Sequence, residues 1–242
     1  MSRGSTSADR AVFVELSRTG LLLQSDPLLP NVASIVSGER IVGSWWGHKK
    51  GHEIFALLKR LDANPDAMTT RLVSGKVTYL HRRLWSDLLT LATSRDEWQT
   101  RGLSRAAHRI LRLVLKKGEL RMDLLNAKGS TPSLAKGARE IERRLLVYSD
   151  EVHTETGAHA KVLMVWSRCP KLIGFRSSRK NPIDSMSRFD DIIRKLNKEY
   201  GARATLPWHS VEPRGRNLGS LDFLSASHRA CKAGPLPAGN ED

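Results

Sequence analysis

Residues 104–166 read SRAAHRILRLVLKKGELRMDLLNAKGSTPSLAKGAREIERRLLVYSDEVHTETGAHAKVLMVW. Apolar positions recur there first with a period near 3.6 and then with a period of 2. Ser104 is placed to cap a helix whose apolar side is Ala107, Ile110, Leu111 and Val114. Lys116-Lys117-Gly118 ends it with the cations and glycine that a helix C-terminus favours. Leu120 supplies one short strand step. A second, short helix covers 121–127 with Leu124 and Leu125 inward, and Lys128-Gly129 forms a tight turn. Ser130-Thr131-Pro132 offers a hydroxyl cap followed by proline at the first helical position, so a third helix runs from there to about Leu145. Residues 146–152 and 159–166 are β-prone and joined by Thr154-Glu155-Thr156-Gly157. Helix, helix, turn, helix and a two-stranded hairpin is the element order of a winged helix-turn-helix domain, expected over 104–168.

On the third helix, at about 100° per residue, Leu134, Ala138, Ile141 and Leu145 share one stripe. Lys136, Arg139 and Arg143 fall opposite, flanked by Ser133 and Glu140. Such a helix fits the major groove, and free N–H groups at its start suit a phosphate. The expected DNA contacts are therefore Ser130, Thr131, Ser133, Lys136, Arg139 and Arg143. His153, His159 and Lys161 on the hairpin add support, and Arg176, Arg179 and Lys180 form a further basic cluster.

Outward from this segment the chain reads as α+β and mostly helical. Residues 1–10 form a flexible leader, and 11–103 a helical region with a β-hairpin. A first helix spans roughly 9–24 with Asp9 as N-cap, 31–46 is ambiguous between helix and strand, and Ile54, Leu57, Leu58 and Leu61 mark an amphipathic helix. Residues 68–73 and 76–81 pair across Ser74-Gly75. A basic linker and C-terminal helix occupy 169–212, with Phe189, Ile192, Ile193 and Leu196 as the helix stripe, and 204–208 docks back on the body. The Gly, Pro and Ser content of 213–242 predicts a disordered tail.

The 242 residues include 40 Lys and Arg against 25 Asp and Glu, a net charge of +15. The isoelectric point is near 10.3. A surface so basic attracts polyanions, and nucleic acid leads because phosphate neutralisation releases counterions. The quoted segment contributes a cationic surplus. Two cysteines, Cys169 and Cys231, without metal-ligand spacing fit reduced thiols and a cytoplasmic, nucleoid-associated location. No apolar stretch reaches the ~18 residues of a membrane span, and MSRGSTSADR lacks a signal-peptide core.

Other constellations carry less. His48 and His52 stand four apart with Glu53 beside them, but a metal site needs at least three ligands, so helix capping or a phosphate contact is the expectation. Trp45-Trp46 reads first as core, with base stacking or duplex wedging as alternatives. Lys76 at the hairpin turn reads as exposed. Phosphate-loop, dinucleotide and nucleophile-elbow motifs are absent from the sequence, and no cofactor or metal is expected.

Residues 104–166 resemble winged-helix domains of bacterial DNA-binding proteins. LVYSDEVHTETGAHAKVL (146–163) is similar to the wing of proteins related to the AlkZ-type DNA glycosylases. GSWWGHKKGHEIF (43–55) and KVTYLHRRLW (76–85) resemble parts of a bacterial family that carries such domains. The resemblance spans about 40–208 and implies double-stranded DNA as partner. AlkZ-type enzymes use a paired glutamine or glutamine–aspartate element, which has no counterpart here; Gln99 stands alone. A DNA-binding protein is therefore the leading expectation. The alternative is a DNA-processing enzyme, a glycosylase-like repair hydrolase, with a site near His48, His52, Glu53 and Arg82.

Overall fold

A computed structural model describes residues 7–126, 132–153, 159–178 and 180–209. The chain begins with helix α1 (Ser7–Thr19), strand β1 (Leu21–Leu23), and helices α2 (Val32–Ser37) and α3 (Gly51–Ala63). Then come β2 (Ala67–Arg71), β3 (Val77–His81), α4 (Trp85–Ser94) and α5 (Glu97–Thr100). The segment read first follows as α6 (Arg105–Lys117), β4 (Glu119–Arg121), α7 (Met122–Asn126), α8 (Pro132–Arg143), β5 (Tyr148–His153) and β6 (His159–Met164). Among the described residues, helix α9 (Pro182–Tyr200) and a last short turn complete the regular structure. The fold is α+β, with two antiparallel three-stranded sheets in the orders β1-β3-β2 and β4-β6-β5.

The N-terminus departs from the sequence expectation. Helix α1 starts inside the stretch read as a leader, and Asp9 is not its cap. Its carboxylate is 4% exposed and accepts from Arg60 Nη2 at 2.6 Å, tying α1 to α3. Gly20, at φ 86°, stops the helix, so 21–23 become a strand paired with β3. Leu21 and Leu23 enter one core while Leu22, pointing the other way, enters a second. An apolar triplet buried on both faces has no periodicity to betray it. The ambiguous stretch resolves at Asn31, whose side chain accepts from the Ser34 N–H at 2.8 Å and caps α2.

The first hairpin is looser than a two-residue turn. Its last pair is Arg71↔Val77, leaving a five-residue connection in which Ser74 (φ 51°) and Gly75 (φ 67°) are both left-handed. Leu72 and Val73 are fully buried and draw the connection inward. The Ser74 N–H donates to the Thr205 carbonyl at 2.8 Å, and the Thr205 N–H to Ser74 Oγ at 3.1 Å. The 204–208 segment thus docks as expected, with Leu206 buried. Helix α7 corrects another assignment. Arg121 belongs to β4, so Met122 takes the inward position and Leu124 is 61% exposed.

Three apolar clusters fill the interior. Val12, Leu16, Val32, Ile54 and Leu57 pack α1, α2 and α3 together. Ala107, Ile110, Val114, Leu134, Ala138 and Ile141 join α6 to α8, as their spacing predicted. The third cluster crosses residue 104: Met68, Leu80 and Trp85 meet Leu145, Tyr148 and Trp166, with Phe189 and Ile193 of α9. The described residues up to 209 accordingly form one compact unit. Residues 213–242 lie outside the described residues.

Gly137 lets α8 lie close on α6. A Cβ there would come within 2.7 Å of the Ala107 backbone nitrogen. Glycine to alanine inside a helix ordinarily stabilises by up to about 1 kcal/mol. Here overpacking wins: Gly137→Ala is expected to lower stability by about 1–3 kcal/mol, read as a drop in the urea unfolding midpoint. An unchanged or raised midpoint would show that the two helices are free to part.

Candidate nucleic-acid interface

Helix α8 buries Leu134, Ala138 and Ile141 and presents Lys136, Arg139 and Arg143 on its exposed side. Among the described residues none of these three has a carboxylate within 4.0 Å. Glu140, between them in sequence, lines the same cleft; it accepts from the Ser104 N–H at 3.1 Å and pairs with Arg144 at 3.6 Å. The three cations line a cleft of about 450 Å³ whose other wall is Ser74-Gly75 and 205–207. The Arg143 side chain lies against Gly75, where a Cβ would approach Nε to 2.9 Å. The α8 face is thus a cationic groove in which the lining carboxylate of Glu140 is paired with Arg144.

The structure divides the other expected contacts. Ser133 is exposed on α8. Ser130, Thr131 and Arg179, and the side chain of His153, lie outside the described residues. Lys161 is corrected. Its ammonium sits 2.8 and 2.9 Å from both carboxylate oxygens of Glu142, whose side chain is 3% exposed, so it pins β6 to α8. Lys180 is corrected likewise. It lies 2.9 Å from both oxygens of the buried Asp87, which also accepts from Arg188 at 3.0 Å, so α9 is stapled to α4. A buried carboxylate without its cation is costly, which is why these lysines are held. Arg176 is exposed, and His159 lies 3.8 Å from Glu151.

The alternative catalytic group does not assemble. His48 uses both ring nitrogens, Nδ1 accepting from the Lys50 N–H at 3.1 Å and Nε2 lying 3.0 Å from Glu39 Oε1. His52 and Glu53 are exposed on α3. Arg82 stacks elsewhere, 5.6 Å over Trp85 and 5.5 Å over Phe175. Among the described residues no three His, Cys, Asp or Glu side chains gather to hold a metal ion. Lys76 pairs with Asp26 at 2.6 Å on the surface. Gln99 is buried: its Oε1 accepts from the Asp96 N–H and its Nε2 donates to the Arg144 carbonyl, a structural role. Burial pushes the Cys169 thiol up to about 11, which keeps it protonated.

A second cleft, of about 480 Å³, went unread in the sequence. Trp45 is core, but Trp46 is 66% exposed and stacked on it at 4.2 Å. This aromatic shelf faces Asp62, Lys171, Tyr148 and the β5–β6 hairpin with His159. Asp62 accepts from the Thr69 hydroxyl at 2.9 Å, and Lys171 donates to the Asp62 and Asn64 carbonyls. Desolvation raises the Asp62 carboxyl above its ordinary range and lowers the Lys171 ammonium. No single motif signals this site, because its residues come from elements far apart in sequence.

No protein-family model, curated protein or solved structure matches the chain. Among the described residues no helix is long and apolar enough to cross a membrane.

Because the Asp62 carboxyl is raised in the folded chain, its contribution is fully favourable below the unfolded value and is lost as pH rises through the folded one. Asp62 stays solvent-exposed, and the partial desolvation of its carboxylate in the cleft makes its charge a small cost at neutral pH. Asp62→Asn keeps the Thr69 bond and removes that charge. The variant should therefore melt higher than the parent at pH 7, with the gap closing by about pH 3, where both are neutral. Melting curves at the two pH values check this, and equal or lower melting at pH 7 refutes it.

Proposed function

We propose that the chain binds double-stranded DNA through a winged helix built from α6, β4, α7, α8, β5 and β6, with α8 directed at the major groove. The single observation carrying this reading is the exposed row Lys136, Arg139 and Arg143, without an ion pair among the described residues, on a helix whose opposite face is packed. The element order supports it, as does β4 adding a third strand to the β5–β6 hairpin through β6. The net charge of +15 supports attraction to a polyanion generally. Ser74-Gly75 and 205–207 line the same cleft and Arg143 lies against Gly75, so the duplex meets Lys136 and Arg139 first. Lys136 and Arg139 then make the leading contacts, and Arg143 a secondary one. Association with the nucleoid in the cytoplasm follows from this reading.

Each lysine or arginine on a phosphate contributes about −0.9 to the slope of log affinity against log salt. Lys136→Ala with Arg139→Ala should weaken duplex binding and reduce that slope by about 2. Fluorescence anisotropy of a labelled duplex titrated at several salt concentrations measures both. Unchanged affinity and slope in the double variant would sink the reading.

A further inference from the structure

Helix α6 carries a second cationic surface. Arg105, Arg109, Arg112 and Lys116 recur at i, i+4, i+7 and i+11. At about 100° per residue all four lie within about 40° of one line along the helix. Ala107, Ile110, Leu111 and Val114 are buried on the opposite side, so the line points straight away from the core. All four side chains are exposed, with His108 and Lys117 exposed to either side. The guanidinium of Arg168 lies against Gly118, just past the helix end. Among the described residues none of these cations has a carboxylate within 4.0 Å; Glu119, the nearest acid in sequence, is exposed and outside the helix. No member of the row lines the α8 cleft.

A row of like charges on one helix face is destabilising on its own. Opposite charges normally relieve it, and here no acid interrupts 105–118. We infer that the outer face of α6 is a second duplex-DNA-binding surface, with Arg105, Arg109, Arg112 and Lys116 on consecutive phosphates. The row is straight, rigid and about 16 Å long, which suits a regular polyanion. A lipid surface is disfavoured, since membrane-lying helices insert their apolar face and that of α6 is packed against α8. The inference stands apart from the α8 reading.

The test separates the two surfaces. In the full chain carrying Lys136→Gln and Arg139→Gln, the α6 row is left intact. That chain should still bind a labelled duplex, with affinity falling roughly 150-fold between 50 and 200 mM salt, as about four phosphate contacts require. Adding Arg105→Gln, Arg109→Gln, Arg112→Gln and Lys116→Gln should abolish the remaining binding. The same positions with the three arginines changed to Lys should retain it and control for folding. Equal binding with and without the four glutamines overturns the inference whatever happens at α8. Release of the duplex by phosphatidylserine vesicles more readily than by unlabelled duplex, at equal phosphate, overturns the choice of partner. If only the α8 reading fails, its double variant binds like the parent while the four glutamines still remove binding.

Discussion

The end of α8 is the joint on which the rest of the molecule hangs. A helix leaves its last four carbonyls without intrahelical partners. Here the Leu146 N–H donates to Ile141 and the Leu145 N–H to Glu142, each at 3.0 Å, closing the helix in a Schellman turn. The next two carbonyls are taken from elsewhere: Arg144 by Gln99 at 3.0 Å and Leu145 by the Trp166 indole at 2.7 Å. Arg144 in return donates to the Gln99 and Arg101 carbonyls. Leu145 occupies the left-handed position, φ 55°, that usually belongs to glycine. Its side chain is fully buried in the cluster shared by both halves, and that burial offsets about 1 kcal/mol of backbone strain. The axial rotation of α8, and with it the direction of its cations, is set at this turn.

Charge is partitioned rather than spread. Asp9, Glu142 and Asp87 are nearly buried, and each holds a cation from a distant element: Arg60, Lys161, and the Lys180–Arg188 pair. These ion pairs staple helices and strands, since a buried carboxylate must be matched. The α8 and α6 rows have no such acids, so they keep their full field toward solvent. A basic composition alone does not distinguish the two kinds of cation. Burial of the partner carboxylate does.

Much of the architecture was legible locally. The cap at Ser104, the glycine end at Gly118, and the stripes of α6, α8 and α9 all appear where residue chemistry put them. The candidate interface was legible in part, through the opposed faces of α8. The ion pairs of Lys161 and Lys180 were not legible, because their acids lie 19 and 93 residues away. Trp45-Trp46 reads first as core, which holds for Trp45 but not for the exposed Trp46, and the groups facing that shelf went unread because they come from the second hairpin and from Asp62. The α6 row was present as a periodic pattern, but its cations stood beside a packing stripe that drew the reading inward.

Short-range physics therefore settled α3, α6, α8 and α9 and their apolar faces, because capping and periodicity act over one or two turns. It did not settle β1, where Leu21, Leu22 and Leu23 are buried on both sides and periodicity is silent. Nor did it settle which charges are spent. Only the tertiary structure decided that, by bringing Glu142 to Lys161 and Asp87 to Lys180. Desolvation and charge pairing depend on distance in space, and the sequence orders distance only along the chain.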